Sequence, residues 1–156
     1  MSGTLDVPFS DVLAPVSTAA NSDHTIDVGP PSYATKPGFR YNLSAVTKVG
    51  KQLYMTLAQD TELITAELTI HSNLDYGQAR AVVFSLSRSL ALIQGPPGTG
   101  KSYTGVQLIK ILLDNKKQGD LGPIICVYYT NHALDQGLER LVDEGVKHVV
   151  RIGGSS

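Results

Sequence analysis

Residues 95 to 102 read Gly-Pro-Pro-Gly-Thr-Gly-Lys-Ser and fill every fixed position of the phosphate-loop pattern G-x-x-x-x-G-K-[ST]. The chemistry suited to that spacing is the capture of a nucleoside triphosphate by its phosphates. Gly95, Gly98 and Gly100 let backbone N–H groups close around phosphate oxygens where a Cβ would obstruct the approach, and Pro96, Pro97 and Thr99 complete the loop. Lys101 is expected to reach the β- and γ-phosphates, and the Ser102 hydroxyl to ligate Mg²⁺.

Such a loop needs a strand before it and a helix after it. Leu90-Ala91-Leu92-Ile93 supplies the apolar run, and a helical pattern from near Lys101 aims its positive dipole end at the same anion. That helix carries the stripe Val106, Ile109, Leu112 and Leu113, with Lys110, Lys116 and Lys117 suiting its negative end. Upstream, Asp75 is a good N-cap for a helix to about Ser87, with Ala79, Val82, Val83 and Leu86 on one face. Downstream, Ile124 to Tyr129 has the β-branched character of a buried parallel strand. A helix from about His132 to Glu144 follows, with Leu134, Leu138, Leu141 and Val142 facing inward, and His148 to Ile152 reads as a last short strand. Strand, helix, strand, helix, strand predicts an α/β fold with parallel strands and right-handed crossover helices.

Residues 74–156 therefore form the expected core domain. Residues 38–73 are a mixed segment before it, in which Tyr41 to Val46 and Leu53 to Leu57 read as short strands and Glu62 to Ile70 fits helix or strand equally. Residues 1–37, rich in Pro, Ser, Thr, Ala and Gly, are expected to be a flexible lead-in.

The 13 basic and 14 acidic side chains among 156 residues leave a net charge of −1, which argues against a strongly basic nucleic-acid clamp. The single cysteine, Cys126, excludes an internal disulfide and a multi-cysteine zinc site, and its apolar neighbours suit a reduced core thiol. No run approaches the roughly 18 apolar residues of a membrane span, and no secretory signal opens the chain. By elimination the expectation is no membrane and an intracellular location, cytoplasmic or nuclear.

Three stretches together resemble superfamily-one helicases. Leu74-Asp75-Tyr76-Gly77-Gln78 is similar to the glutamine motif, Ala91 to Ser102 to motif I, and Tyr129-Thr130-Asn131-His132-Ala133-Leu134-Asp135-Gln136 to motif Ia. The likeness is strongest to the branch related to nonsense-mediated-decay helicases, whose zinc-finger-bearing members act in RNA silencing. Val150-Arg151-Ile152-Gly153-Gly154 resembles the segment that follows in that branch. The resemblance implies a RecA-like phosphate-loop NTPase domain using ATP and Mg²⁺ on single-stranded RNA or DNA. It implies that Gln78 binds adenine, since a carboxamide can donate and accept at N7 and N6 together. Thr130 and Asn131 are implied to hold a sugar-phosphate backbone, with His132 beside them. An N-cap role for Asn131 and an ordinary first-turn position for His132 are equally good accounts. Tyr103, Tyr128 and Tyr129 have rings suited to stacking on bases, but packing against the sheet is the expectation.

Hydrolysis in that family also needs a carboxylate pair ending another apolar strand, and arginines from a second RecA-like domain. Asp143-Glu144 is a decoy for that pair: the apolar spacing around it is helical, and it reads as a solvated helix end. The resemblance implies a chain ending partway through the first RecA-like domain, with the C-terminal RecA-like parts as missing partners. In that fold a later strand lies between the one before motif I and the one before motif Ia, so unpaired strand edges and an incomplete sheet are expected. Gly137 stands where the family tends to carry a bulky aromatic, which is expected to cost about 1 kcal/mol of helix propensity and leave core space unfilled. Ser89-Leu90 likewise replaces an expected acidic-aromatic pair.

The readings that follow are the ATP-binding portion of an ATP-dependent helicase, with little turnover from this chain alone, or a truncated non-catalytic nucleotide-binding or interaction module. A small phosphotransferase or ring-forming ATPase would share the loop but gives no reason for Thr130-Asn131-His132-Ala133, and only Arg140 and Arg151 follow the loop to build a lid.

Overall fold

In the computed structural model the described residues are 28–154. The parts of the expected lead-in at 1–27, and Ser155 and Ser156, lie outside them. Helices dominate: α1 (Thr61–His71), α2 (Tyr76–Leu86), α3 (Lys101–Asp114), the short α4 (Lys116–Gly119) and α5 (Asn131–Asp143). Two-residue strands β1 (Tyr41–Asn42) and β2 (Tyr54–Met55) pair antiparallel, Tyr41 opposite Met55, and form the one sheet among the described residues.

The element undecided from sequence, Glu62 to Ile70, is helical. Ile64, Ala66, Leu68 and Ile70 alternate as a strand would, while Ile64 and Leu68 also stand four apart as on a helix. Asp60 breaks the tie: its carboxylate accepts the Glu62 N–H at 2.8 Å and caps α1. Ile64, Thr65 and Leu68 are then buried, and Leu63 and Ile70 stay exposed. Helix α2 matches its sequence pattern closely. Asp75 accepts from the Gln78 N–H, Gln78 accepts from the Asp75 N–H, and Ala79, Val82, Val83 and Leu86 are the buried face.

These two helices, the β1–β2 ribbon and one face of α3 enclose a core that includes Tyr41, Leu43, Met55, Leu68, Val82 and Ile111. Residues 28–37, expected as part of a flexible lead-in, pack onto it. Ala34 is buried, Tyr33 and Phe39 meet edge-to-face at 5.9 Å, and Lys36 Nζ donates to the Gly119 carbonyl at 3.0 Å. Aromatic area outweighs the polar composition there. The Tyr41 hydroxyl donates to the Leu86 carbonyl at 2.7 Å; burial pushes its pKa well up, so the phenol stays neutral.

The expected parallel strands are not formed among the described residues. Leu90 to Ile93, Ile124 to Tyr129 and His148 to Ile152 run without ladder partners. Ile124 and Cys126 are half-buried while Ile125 and Val127 are exposed, the alternation of an extended segment with one covered side. Leu92, Ile125, Val127, Val150 and Ile152 each stand at least 81 % exposed. Helices satisfy their own backbone groups and form regardless, whereas a strand needs a neighbour to complete its hydrogen bonds.

Helix α3 thus has two apolar sides. Leu108, Ile111 and Leu112 meet the core, whereas Ile109 and Leu113 face a cleft of about 1390 Å³ shared with Leu134, Leu138 and the unpaired segments. Val142, expected to face inward, is exposed.

Candidate functional site

Helix α3 starts at Lys101, and its N-cap is Gly100 in the left-handed region at φ 77°, with no capping side chain. In contrast, α1, α2 and α5 have Asp60, Asp75 and Thr130 side chains on their first-turn N–H groups. The first N–H groups of α3 are therefore left for an anion. Gly98, at φ 84°, gives the loop its second left-handed turn. A Cβ on Gly95 would come within 2.9 Å of Thr99 Oγ1, which itself donates to the Pro96 carbonyl at 2.9 Å. Lys101 Nζ donates to the carbonyls of Gly95 and Pro96 at 2.7 and 2.8 Å, so its ammonium is held against the start of the loop. Lys101 and Ser102 are both exposed. Free first-turn donors, left-handed glycines where side chains would crowd, an ammonium and an exposed hydroxyl fit a Mg-bound polyphosphate.

Gln78, on the first turn of α2, lies against this loop: its Nε2 donates to the Thr99 carbonyl at 3.3 Å. In the sequence Gln78 and the loop are linked only through the resemblance; the structure brings the two together by a direct contact.

The motif Ia-like residues gather at the start of α5. Thr130 is its N-cap, accepting the Ala133 N–H at 3.2 Å, so the alternative N-cap role for Asn131 is not the one the helix uses. Thr130 is better suited because its backbone is extended, at φ −130° and ψ 153°, while Asn131 is already helical. Asn131 Oδ1 lies beside Gly153, and the His132 ring meets Gln136 at 3.1 Å. Asn131 and His132 are exposed. Thr130 and Asn131 border the large cleft, whereas no phosphate-loop residue does.

The three tyrosines divide. Tyr103 packs against the core, Tyr128 lies over Gly137, and Tyr129 is fully exposed rather than packed. The expected void at Gly137 is absent, because a Cβ there would fall within the Tyr128 ring.

Three polar arrangements escaped sequence reasoning. Asn115, buried at the end of α3, accepts the Asn42 N–H at 2.8 Å and donates to the Asn42 and Ile111 carbonyls at 2.8 and 2.7 Å. Its carboxamide thereby takes the place of a third strand beside β1. Arg151 grips Asp135 of α5 with two nitrogens, at 2.6 and 3.4 Å, and holds that carboxyl below the usual carboxylate range. Glu144 ends α5 as expected but is not simply solvated: Lys110 reaches it at 2.8 Å and lowers its pKa. The contacts of Asn115 with Asn42, of Lys110 with Glu144 and of Arg151 with Asp135 had no signal in local spacing, since each joins residues at least 16 apart. Burial raises the Cys126 thiol pKa, which keeps it protonated.

A family model described as "AAA domain" matches residues 73–156. NFX1-type zinc finger-containing protein 1 of Homo sapiens is 47% identical over 87 residues, covering 53% of this chain and 4% of the relative. The Schizosaccharomyces pombe protein named "Helicase required for RNAi-mediated heterochromatin assembly 1" is 45% identical over 80 residues, 51% of this chain and 8% of its own length. The "ATP-dependent helicase upf1" of the same yeast is 36% identical over 85 residues, 53% of this chain and 9% of that protein. The chain therefore spans under a tenth of these relatives. No solved structure matches it. With the phosphate loop, the glutamine-motif helix and the α5 start all inside the matched span, the chain belongs to the AAA-domain family, as an N-terminal part of the helicase region in the nonsense-mediated-decay-like branch of superfamily one.

Proposed function

We infer that this chain is the ATP-binding portion of an ATP-dependent helicase acting on single-stranded RNA or DNA, and that by itself it binds Mg·ATP without efficient turnover. The observation that carries the reading is the uncapped start of α3 next to a loop with glycines in the left-handed region and the Lys101 ammonium on its carbonyls. Gly95 to Gly100 would surround the phosphates, Lys101 would move from the loop carbonyls to the β- and γ-oxygens, and Ser102 would hold Mg²⁺. The metal's contribution is to neutralise charge on those oxygens. Gln78 keeps one donor and one lone pair beyond its internal contacts, the pair an adenine edge needs.

Slow turnover follows from the carboxylates. Asp143 and Glu144 terminate a helix, and Glu144 is committed to Lys110, so neither is set to orient a water at the loop. The apolar segments at 90–93, 124–129 and 148–152 are the strand positions of a parallel sheet with crossover helices, whose remaining partners would come from C-terminal RecA-like parts. Thr130, Asn131 and His132 would contact the backbone of a single strand at the edge of that sheet, a contact that does not distinguish RNA from DNA. No helix among the described residues is long and apolar enough to cross a membrane, and the setting in keeping with a helicase is the cytoplasm or nucleus.

Titration of the chain with a fluorescent ATP analogue and Mg²⁺ tests the assignment. Lys101→Ala should weaken binding at least tenfold, as expected when a charged partner worth about 1.5–3 kcal/mol is lost. Unchanged affinity would remove the phosphate-loop assignment. Single-strand-stimulated ATP hydrolysis that Lys101→Ala abolishes would instead show the chain to be a working ATPase.

A further inference from the structure

Gln78 stands where two structural tasks meet. At the third position of α2 its N–H donates to Asp75 Oδ1 at 2.8 Å, and its Oε1 accepts the Asp75 N–H at 3.1 Å, which closes the helix cap. The same carboxamide then extends to the phosphate loop, where Nε2 donates to the Thr99 carbonyl at 3.3 Å. A second observation supports that approach. Gly100 is in the left-handed region, and a Cβ on it would overlap Nε2, so the amide is seated against the loop backbone where only glycine leaves room. The two contacts also fix the amide's orientation. Only with oxygen toward the Asp75 N–H and nitrogen toward the Thr99 carbonyl are both made.

We propose that Gln78 is a positioning residue for the phosphate loop: it ties the Thr99 carbonyl to the cap of α2 and so holds the loop N–H groups converged on the phosphates, whatever it does for the base. This rests on the reading that residues 95–102 bind a nucleoside triphosphate. The Thr99 carbonyl belongs to the peptide just before Gly100, and Gly100 caps α3, so a brace at that carbonyl also sets how α3 presents its first N–H groups. A ligand with phosphates and no base should therefore register the loss of Gln78.

The test is competition against the fluorescent ATP analogue by inorganic tripolyphosphate with Mg²⁺, and by Mg·ATP, using the 156-residue chain. Gln78→Glu keeps an oxygen for the Asp75 N–H but cannot donate to Thr99, and Gln78→Ala loses both contacts. Repeating the Gln78→Glu competition at about 0.15 and about 0.5 M salt separates the glutamate's charge, whose effect shrinks with screening, from the lost hydrogen bond, whose effect does not. Both variants should weaken tripolyphosphate roughly fivefold, the worth of one neutral hydrogen bond, and ATP at least as much. Unchanged tripolyphosphate binding with weakened ATP would overturn the proposal, leaving Gln78 a reader of the base alone. Wild-type binding in Gln78→Glu with loss in Gln78→Ala would overturn it too, by assigning the effect to the helix cap. Failure of the underlying site looks different: Lys101→Ala would then leave both ligands unaffected, and the proposal would fall with it.

Discussion

Gly137 lies inside α5, where replacing glycine by alanine ordinarily stabilises a helix by about 1 kcal/mol. Here that gain should vanish. A Cβ at Gly137 would fall within the Tyr128 ring, coming to 2.9 Å even from Cε1. The backbone of α5 is held by its own hydrogen bonds, but Tyr128 is 38 % exposed and can swing outward, so the ring is what yields. Its departure removes about 40–80 Å² of apolar contact, or about 1–2 kcal/mol at the usual transfer coefficient. Gly137→Ala should therefore be neutral, or destabilising by up to about 1 kcal/mol. In a Tyr128→Ala background the ring is gone, and the same change should stabilise by about 1 kcal/mol. The coupling in the double-mutant cycle is then on the order of 1–2 kcal/mol. Urea unfolding followed by far-ultraviolet circular dichroism, with the denaturant slope checked for constancy, measures it. A gain of the same size in both backgrounds would refute the reasoning, because it would mean that Tyr128 does not occupy the space above Gly137.

Two further outcomes follow from the polar contacts. Asn115→Ala removes three hydrogen bonds from a buried carboxamide and should cost about 2–4 kcal/mol in the same unfolding assay, while a loss below about 0.5 kcal/mol would show that the clamp on β1 does not matter. The Lys110–Glu144 pair lowers the Glu144 pKa, so the folded chain binds that proton less readily than the unfolded one. Its contribution is present above the unfolded glutamate value of about 4.3 and is lost as pH falls through the folded pKa. Because both side chains still meet solvent, at 20 % and 35 % exposure, screening should keep the amount to about 1 kcal/mol or less, and Glu144→Gln should flatten the stability profile only in that acid range; an unchanged profile would mean the pair is energetically silent.

What was legible in the chain divides along the range of the interactions. Asp75 with Ala79, Val82, Val83 and Leu86 specifies a capped amphipathic helix within a dozen residues, and α2 forms as read. The phosphate loop is equally local, since Gly98, Gly100 and the start of α3 lie within one turn of one another. Thr130 and Asn131 could be exchanged as N-cap because both types suit the position, and only the backbone angles separate them. Glu62 to Ile70 was ambiguous because its apolar residues satisfy two periods at once, with Asp60 as the local arbiter. Asn115, Arg151 with Asp135, and Tyr128 over Gly137 depend on contacts across elements, and no spacing rule encodes them.

The strands mark the same boundary from the other side. The runs Leu90 to Ile93, Ile124 to Tyr129 and His148 to Ile152 read as strands from their composition, yet none pairs among the described residues, and only the half-buried alternation of Ile124 to Val127 has an extended segment's character. A ladder is nevertheless a property of two segments, and neither composition nor period supplies the neighbour. The elements that carry the candidate site escape this dependence. Lys101, Ser102 and Gln78 sit on helix first turns, and Thr130 caps another, so each of these turns forms through hydrogen bonds within its own helix, and the one contact between elements is that of Gln78 with the Thr99 carbonyl. The candidate phosphate-binding groups at the starts of α2 and α3 can therefore be in place while the apolar runs at 90–93, 124–129 and 148–152 have no ladder partners, which makes phosphate binding the activity to look for first in this chain.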